Sequence, residues 1–100
     1  MKVVWMPGAK QDRLEIFTYI ASDNPSAAVA MDERFDKAAA NLASFSHAGH
    51  AGKIPGTREL FPHESYRLVY ELGGDRLLIL TVVHTSRQWP PEQDIRARRK

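Results

Sequence analysis

Residues 66–85 read YRLVYELGGDRLLILTVVHT, and this stretch decides the fold class. Two runs rich in β-branched, aromatic and aliphatic residues flank Gly73-Gly74, a pair that predicts a tight β-hairpin turn. If this pair is a two-residue turn, the register places Val69 opposite Leu78, and the neighbouring pairs follow from that one. The second half of the chain is therefore predicted to be antiparallel sheet.

The same register makes both faces of the hairpin apolar. A helical hairpin covers one face of a sheet this size, whereas the chain after Trp89 is too polar to cover the other. We expect the face that carries two polar residues among aliphatic ones to stay open for a partner. The alternative is that both faces are covered within a compact monomer or a homodimer. The face expected to be open comprises Arg67, Val69, Leu78, Leu80, Val82 and His84, and the covered face comprises Tyr66, Leu68, Tyr70, Leu77, Ile79, Thr81 and Val83.

Two amphipathic helices are predicted in the first half of the chain, after a short strand over Val3–Met6 that Pro7-Gly8 ends. The first helix covers Ala9–Ala21, and Asn24 is a good N-cap for the second, with Pro25 in its first turn. A connector of about three residues makes the pair an antiparallel hairpin. The apolar stripes comprise Leu14, Phe17 and Ala21, flanked by Ile16 and Ile20, and then Ala28, Met31, Phe35, Ala38, Leu42 and Phe45.

The order of these elements predicts an α+β fold. A glycine-rich surface loop is expected over Ser46–Gly56 and a further strand over Thr57–Phe61. The N-terminal strand and the α-helical hairpin would pack on one face of a mainly antiparallel sheet of three to four strands. We expect a single domain over residues 1–91, followed by a basic C-terminal tail over residues 92–100.

The composition restricts the cellular compartment and the kinds of metal or cofactor site that we expect. With 43% hydrophobic and 26% charged residues, the chain has the composition of a folded globular protein, and its net charge of +2 does not by itself indicate nucleic acid. There is no cysteine, secretory signal or transmembrane run, so we expect a cytoplasmic protein. His47 and His50 stand three residues apart without a supporting ligand cluster, so neither a metal site nor a cofactor is expected.

The charged residues of the predicted sheet leave alternatives open. Arg67 lies between apolar neighbours and needs an acceptor, which is either an internal carboxylate such as Glu59 or Glu64, or an acidic group or phosphate of a partner. Arg58 presents the same alternatives. The basic tail either steers an acidic partner or DNA, or is a solvated chain end.

A second polar group follows the last predicted strand. His84 ends that strand and either hydrogen-bonds a neighbouring carbonyl, contacts a partner, or acts as a base. Arg87 and Trp89 follow it closely, so imidazole, guanidinium and indole are candidates to gather at one end of the sheet. The indole of Trp89 is more often packed as a lid on a sheet edge than used for binding.

Several strings in this order resemble the RelE/ParE toxin superfamily over nearly the full chain. They are Trp5 and Ala9, Tyr19-Ile20-Ala21, Asp23-Asn24-Pro25, Gly56-Thr57-Arg58-Glu59-Leu60, Tyr66-Arg67-Leu68-Val69-Tyr70, and Val83-His84 followed by Arg87 and Trp89-Pro90. The Gly-Thr-Arg-Glu-Leu and Val-His-x-x-Arg-x-Trp-Pro strings look more like the ParE branch, the toxin half of a type II toxin-antitoxin pair.

The resemblance implies a toxin that binds DNA gyrase, traps its cleaved-DNA complex and uses no catalytic residue of its own. It also implies neutralisation by a ParD-like antitoxin in a hetero-oligomer, with operator DNA contacted only through the antitoxin. The antitoxin would bind Arg58, Arg67, Val69, Leu78, Leu80, Val82 and His84, and the target would contact Arg87, Trp89, Arg96, Arg98 and Arg99.

RelE-like members of the same superfamily instead cut messenger RNA in the ribosomal A site. In that alternative, Arg67, Arg58 and Arg87 would hold phosphate and His84 would transfer a proton. The chain departs from this pattern because no tyrosine follows Tyr70. A third possibility is a relic that has lost toxicity and only binds the antitoxin.

Overall fold

The computed structural model describes residues 1–91, which form two helices and five strands. The single sheet has the order β1-β5-β4-β3-β2, and the helices cover one of its faces. The α+β class and the N-terminal strand followed by a helical hairpin are confirmed. In chain order the elements are β1 (Lys2–Trp5), α1 (Pro7–Ala21), α2 (Pro25–Ser44), β2 (His50–Ala51), β3 (Arg58–His63), β4 (Tyr66–Gly73) and β5 (Arg76–His84).

The sheet has more strands than the three to four predicted. The additional strand, β2, is a two-residue segment of the predicted surface loop, and it pairs antiparallel with β3. At the opposite edge β1 runs parallel to β5, with Trp5 opposite Ile79. A parallel neighbour needs a long crossover, which the two helices supply between β1 and the rest of the sheet. No helix among residues 1–91 has the length and apolar content to cross a bilayer.

The predicted turn of the β4–β5 hairpin is wrong by one residue. Gly73 pairs with Arg76, so the two-residue loop is Gly74-Asp75 rather than Gly73-Gly74. Gly74 has φ = +63°, and no residue other than glycine has a positive φ in the described part of the chain. A two-residue hairpin turn can form with glycine at its first central position alone. Gly74 takes that position, while Gly73 belongs to β4.

A β-bulge further along the hairpin changes which residues share a face of the sheet. Tyr70 pairs with Ile79 but Val69 pairs with Thr81, so Leu80 is the extra residue on β5. Beyond the bulge the side-chain alternation is shifted, and Val82 packs beside Phe35 on the helix side of the sheet. The prediction that Val82 shares a face with Leu80 is therefore wrong.

The start of α2 follows its sequence signals, whereas α1 begins at Pro7, two residues before the predicted Ala9, because Pro7-Gly8 lie in its first turn. Asn24 caps α2 with its side-chain oxygen, which accepts a hydrogen bond from the Ala27 N–H at 3.1 Å, and Pro25 occupies the first turn. The ends of the predicted stripes are less buried. Leu14 is 59% exposed and Phe45, which follows the last residue of α2, is 65% exposed. The residues of α2 that are buried are Ala28, Phe35, Ala39 and Leu42.

The loop before β2 is fixed to the core through one tyrosine. The Tyr70 hydroxyl donates to the Ser46 carbonyl at 2.9 Å and accepts from the Gly49 N–H at 3.0 Å. Gly49 is buried in this contact. A Cβ atom at Gly49 would lie 2.6 Å from the Glu59 carbonyl oxygen and 2.8 Å from the Tyr70 hydroxyl, closer than real Cβ atoms approach.

We therefore expect Gly49→Ala to lower the free energy of unfolding by about 2 kcal/mol, the cost of overpacking a filled site. Urea denaturation followed by circular dichroism measures it. Gly73→Ala is the matched control, because a Cβ atom there meets nothing within 4 Å and should change stability by less than about 0.5 kcal/mol. Equal stability of the two variants would contradict the close approach at Gly49.

Candidate functional site

Glu59 is the centre of the polar site on the sheet face away from the helices. Its side chain is 1% exposed, and its Oε1 lies 3.0 Å from Arg67 Nε in an ion pair. Its Oε2 accepts hydrogen bonds from the Lys53 backbone N–H at 3.0 Å and from the Trp89 indole N–H at 2.8 Å. One buried carboxylate thus joins β3, β4, the loop before β3 and the segment after β5.

The surroundings of Glu59 favour its charged form. Burial alone raises the pKa of this carboxyl, but the Lys53 and Trp89 N–H groups and the charges of Arg67 and His50 together lower the pKa below its ordinary value. Glu59 is therefore an ionised anchor at neutral pH. Of the alternatives for Arg67, the internal ion pair with Glu59 is the one present.

The Arg67 guanidinium lies between two aromatic rings. Its central carbon is 5.3 Å from the Phe61 ring centroid and 5.6 Å from that of Trp89, within the range of cation–π attraction. Phe61 is 43% exposed and its ring stacks on His50 at 5.9 Å. Among residues 1–91 the terminal nitrogens of Arg67 make no hydrogen bond, and the side chain is 13% exposed.

The apolar surface expected around Arg67 is largely covered by the chain itself. Val69 and Leu80 are 0% and 4% exposed, and Ile54 packs on both from the loop before β3. Leu78 and Trp89 border the same cluster. The open face was predicted because the loop looked polar and the chain after Trp89 was too polar to cover it. Ile54 covers it instead, with Met6, Leu78 and Trp89 packed beside the cluster. The covered alternative is correct for Val69 and Leu80.

Arg58 lies on the other side of the sheet. It stands directly opposite Tyr70, which packs in the core under the helices, and residues opposite each other in an antiparallel pair share a face. Arg58 Nη2 donates to the backbone carbonyls of Gly49 and His47. These contacts tie Arg58 to the loop before β2.

His84 also lies on the helix side of the sheet. It pairs with Tyr66 across β4 and β5, and the two rings meet edge to face at 5.2 Å. Its Nδ1 accepts a hydrogen bond from the Ser86 N–H at 3.0 Å, so its backbone partner is an N–H just beyond β5 rather than the predicted carbonyl. Arg87 follows on the same rim with its N–H bonded to the His84 carbonyl, whereas Trp89 is on the opposite face beside Arg67.

The four candidate residues of a ribonuclease are therefore not gathered around one point. Arg67 is on the face with Glu59, while Arg58 and His84 are on the helix side. No group of three or more potential metal ligands lies among residues 1–91. The predicted contacts Arg96, Arg98 and Arg99 lie outside the described residues.

A groove between α1 and the end of β5 holds a residue that sequence reasoning did not select as a site. Tyr19 lines it and is 79% exposed, the highest value among the large apolar side chains of the described chain. The only signal in the sequence is an aromatic residue next to the apolar stripe of α1, which is too common to identify a site. The groove also contains His84 and Arg87.

Comparison with known proteins gives the family. A family model described as the ParE toxin of the type II toxin-antitoxin system parDE matches residues 3–89. This chain is 36% identical over 90 residues to Y4kP, a protein of Sinorhizobium fredii (strain NBRC 101917 / NGR234) that is named as a candidate toxin. That match covers 89% of this chain and 93% of Y4kP.

Two solved structures share the fold. A chain of the chromosomal ParDE TA system from P. aeruginosa superposes with a TM-score of 0.75 at 19% identity, covering 84% of this chain and 95% of that one. The YoeB/ParE toxin from Agrobacterium tumefaciens gives a TM-score of 0.61 at 20% identity, covering 84% and 98%. Because the family model covers nearly the whole described chain and a relative is more than a third identical, this chain belongs to the ParE toxin family of type II toxin-antitoxin systems.

Proposed function

We propose that this ParE-family toxin inhibits DNA gyrase by binding it and is neutralised by a ParD-like antitoxin in a hetero-oligomer. Toxin and target meet in the cytoplasm, and operator DNA is contacted through the antitoxin. Family membership supports the toxin role. The observation that favours binding over RNA cleavage is the separation of Arg67 and His84 on opposite faces of the sheet.

That separation argues against phosphodiester cleavage by this chain for a geometric reason. General acid–base catalysis requires the proton-transferring group within hydrogen-bond reach of the reacting atoms that the phosphate-holding cations position. Here the charge of Arg67 is already paired with Glu59, and the Nδ1 atom of His84 is occupied by Ser86. Binding a partner requires no such convergence.

The antitoxin is proposed to contact the exposed part of the sheet face that carries Arg67. The exposed ring of Phe61 lies over the Arg67 guanidinium, whose side chain is 13% exposed, and a carboxylate of the antitoxin is proposed to bind at this pair. Val69 and Leu80 are buried, so they support this surface from beneath. For the target, Arg87 and the basic residues after Pro91 remain the proposed contacts, while the Trp89 N–H is used within the chain.

Two assays run side by side test the proposal. Purified toxin is added to gyrase in supercoiling and DNA-cleavage assays, and to ribosomes programmed with a defined messenger RNA. We expect cleaved DNA trapped on gyrase and intact messenger RNA. Codon-positioned cuts in the RNA with unaffected gyrase would establish the RelE-type activity instead, and inactivity in both assays would leave a module that only binds the antitoxin.

A further inference from the structure

The groove between α1 and β5 has a volume of about 690 Å³, and its β5 residues follow the part of β5 that pairs with β1. Trp5, the last residue of β1, stands opposite Ile79, so the following residues of β5 have no strand neighbour on that side. Helix α1 borders this gap instead. The walls used below are formed by Asp12, Glu15, Ile16 and Tyr19 from α1, and by His84 and Arg87 at the end of β5.

The α1 wall of the groove presents an apolar surface to solvent. The Tyr19 ring is 79% exposed and Ile16 lies half-buried below it. On the facing wall the ring of Tyr66 is buried, and burial, with Tyr19 adding to it, raises the pKa of the Tyr66 phenol. An exposed tyrosine beside an aliphatic residue is the kind of rigid amphipathic surface that anchors protein partners.

The β5 rim of the groove carries two hydrogen-bond donors without acceptors. The bond from the Ser86 N–H makes His84 Nδ1 an acceptor, so the neutral ring carries its proton on Nε2. Neither that nitrogen nor the exposed Arg87 side chain has a partner among residues 1–91. Two adjacent donors of this kind suit one carboxylate, which accepts from both.

The acidic residues of α1 limit what the groove accepts. Asp12 and Glu15 face a bound molecule from the opposite wall, so a chain of phosphates would meet two carboxylates. Asp12 Oδ2 also accepts from the Val82 N–H at 3.2 Å, so one edge N–H of β5 that an added strand would use is already bonded. A peptide with a single acidic side chain beside an apolar one fits both walls.

We propose that this groove binds a segment of the antitoxin in which an apolar side chain packs on Tyr19 and a neighbouring Asp or Glu pairs with His84 and Arg87. The proposal rests on the proposed function, because it locates the antitoxin. The proposal also has a consequence for target binding. An antitoxin segment paired with Arg87 covers a residue that is proposed to contact gyrase.

The test measures the affinity of the purified full-length toxin for the antitoxin encoded beside it, by titration calorimetry. Tyr19→Ser and Arg87→Glu should each weaken binding at least about tenfold, as loss of an interface anchor does. Two exposed residues of α2 give matched controls: Val29→Ser and Arg34→Glu should leave the affinity within about twofold. Melting curves establish that all variants are folded.

The outcomes separate the two levels of the proposal. If the unmodified toxin does not bind the antitoxin, the proposed function loses its partner and the groove loses its ligand. If it binds and the Tyr19 and Arg87 variants bind equally well, the groove is excluded as the binding site. The antitoxin is then retained as the partner. Recovery of Arg87→Glu binding by an antitoxin with one acidic residue changed to lysine would identify the paired carboxylate.

Discussion

Glu59→Gln is expected to lower the free energy of unfolding by about 3 kcal/mol, because it removes one member of a buried ion pair. The Glu59 side chain is 1% exposed and accepts from two N–H groups while balancing Arg67. The amide has nearly the same volume but no charge, and it can accept through only one of its two terminal atoms. Arg67 is then left half-buried without a counter-ion.

Urea denaturation of the two proteins measures this difference. Glu33→Gln is the matched control, since Glu33 is exposed on α2 and should change stability by less than about 0.5 kcal/mol. Trp89→Phe, which removes only the indole N–H, should fall between the two at about 1 kcal/mol. A loss below about 1 kcal/mol in Glu59→Gln would mean that the carboxylate does not hold the site together.

The pKa of Glu59 also predicts how stability depends on pH. Because its pKa in the folded protein lies below the ordinary value of 4.5, the unfolded chain takes up its proton first as the pH falls. The stabilisation is complete above pH 4.5 and is lost as the pH drops through the folded pKa. Unfolding free energies measured from pH 7 to pH 3 should therefore decline less steeply for Glu59→Gln than for the unmodified protein.

Phe35→Ala should lower the free energy of unfolding by about 4 kcal/mol, the cost of removing a large ring from a filled core. Phe35 is 1% exposed, and its ring meets that of Tyr66 edge to face with centroids 5.7 Å apart. It lies at the contact between α2 and the sheet, beside Val82. The substitution leaves a cavity under the part of β5 that follows the bulge.

Phe45→Ala is the control for that cavity, because both phenylalanines belong to one predicted stripe. Phe45 is 65% exposed after the end of α2, so its removal should cost less than about 1 kcal/mol. Chemical denaturation of the two variants under identical conditions compares them. Similar losses would mean that the predicted stripe is buried along its whole length and that α2 continues further than Ser44.

The elements themselves could be predicted because their signals are local. Asn24 and Pro25 start α2 through a hydrogen bond and a fixed backbone angle that do not depend on distant residues. The hairpin between β4 and β5 was likewise predicted, although its turn was placed one residue too early. Either glycine of Gly73-Gly74 can adopt positive φ, so the sequence alone does not determine which one does.

The faces of the sheet could not be predicted to the same extent. A bulge at Leu80 moves Val82 to the helix side, and no local pattern in a run of aliphatic residues marks where a bulge occurs. The same difficulty applies to Ile54, a single apolar residue in a polar loop that covers Val69 and Leu80. Both errors led to an open face larger than the one present.

The sequence by itself determined the α+β class, the helical hairpin and the antiparallel strands, because caps, turns and apolar periodicity act over a few residues. The resemblance to ParE toxins came separately, from short strings of residues in a fixed order. The sequence also identified Arg67 as a residue in need of an acceptor. Only the tertiary structure decided that its partner is Glu59, in an ion pair that gives Arg67 Nε no hydrogen bond, and that His84 lies on the opposite face. These contacts join residues distant in the chain, and their geometry depends on strand register. A register shift of one residue moves the side chains of a strand to the other face of the sheet.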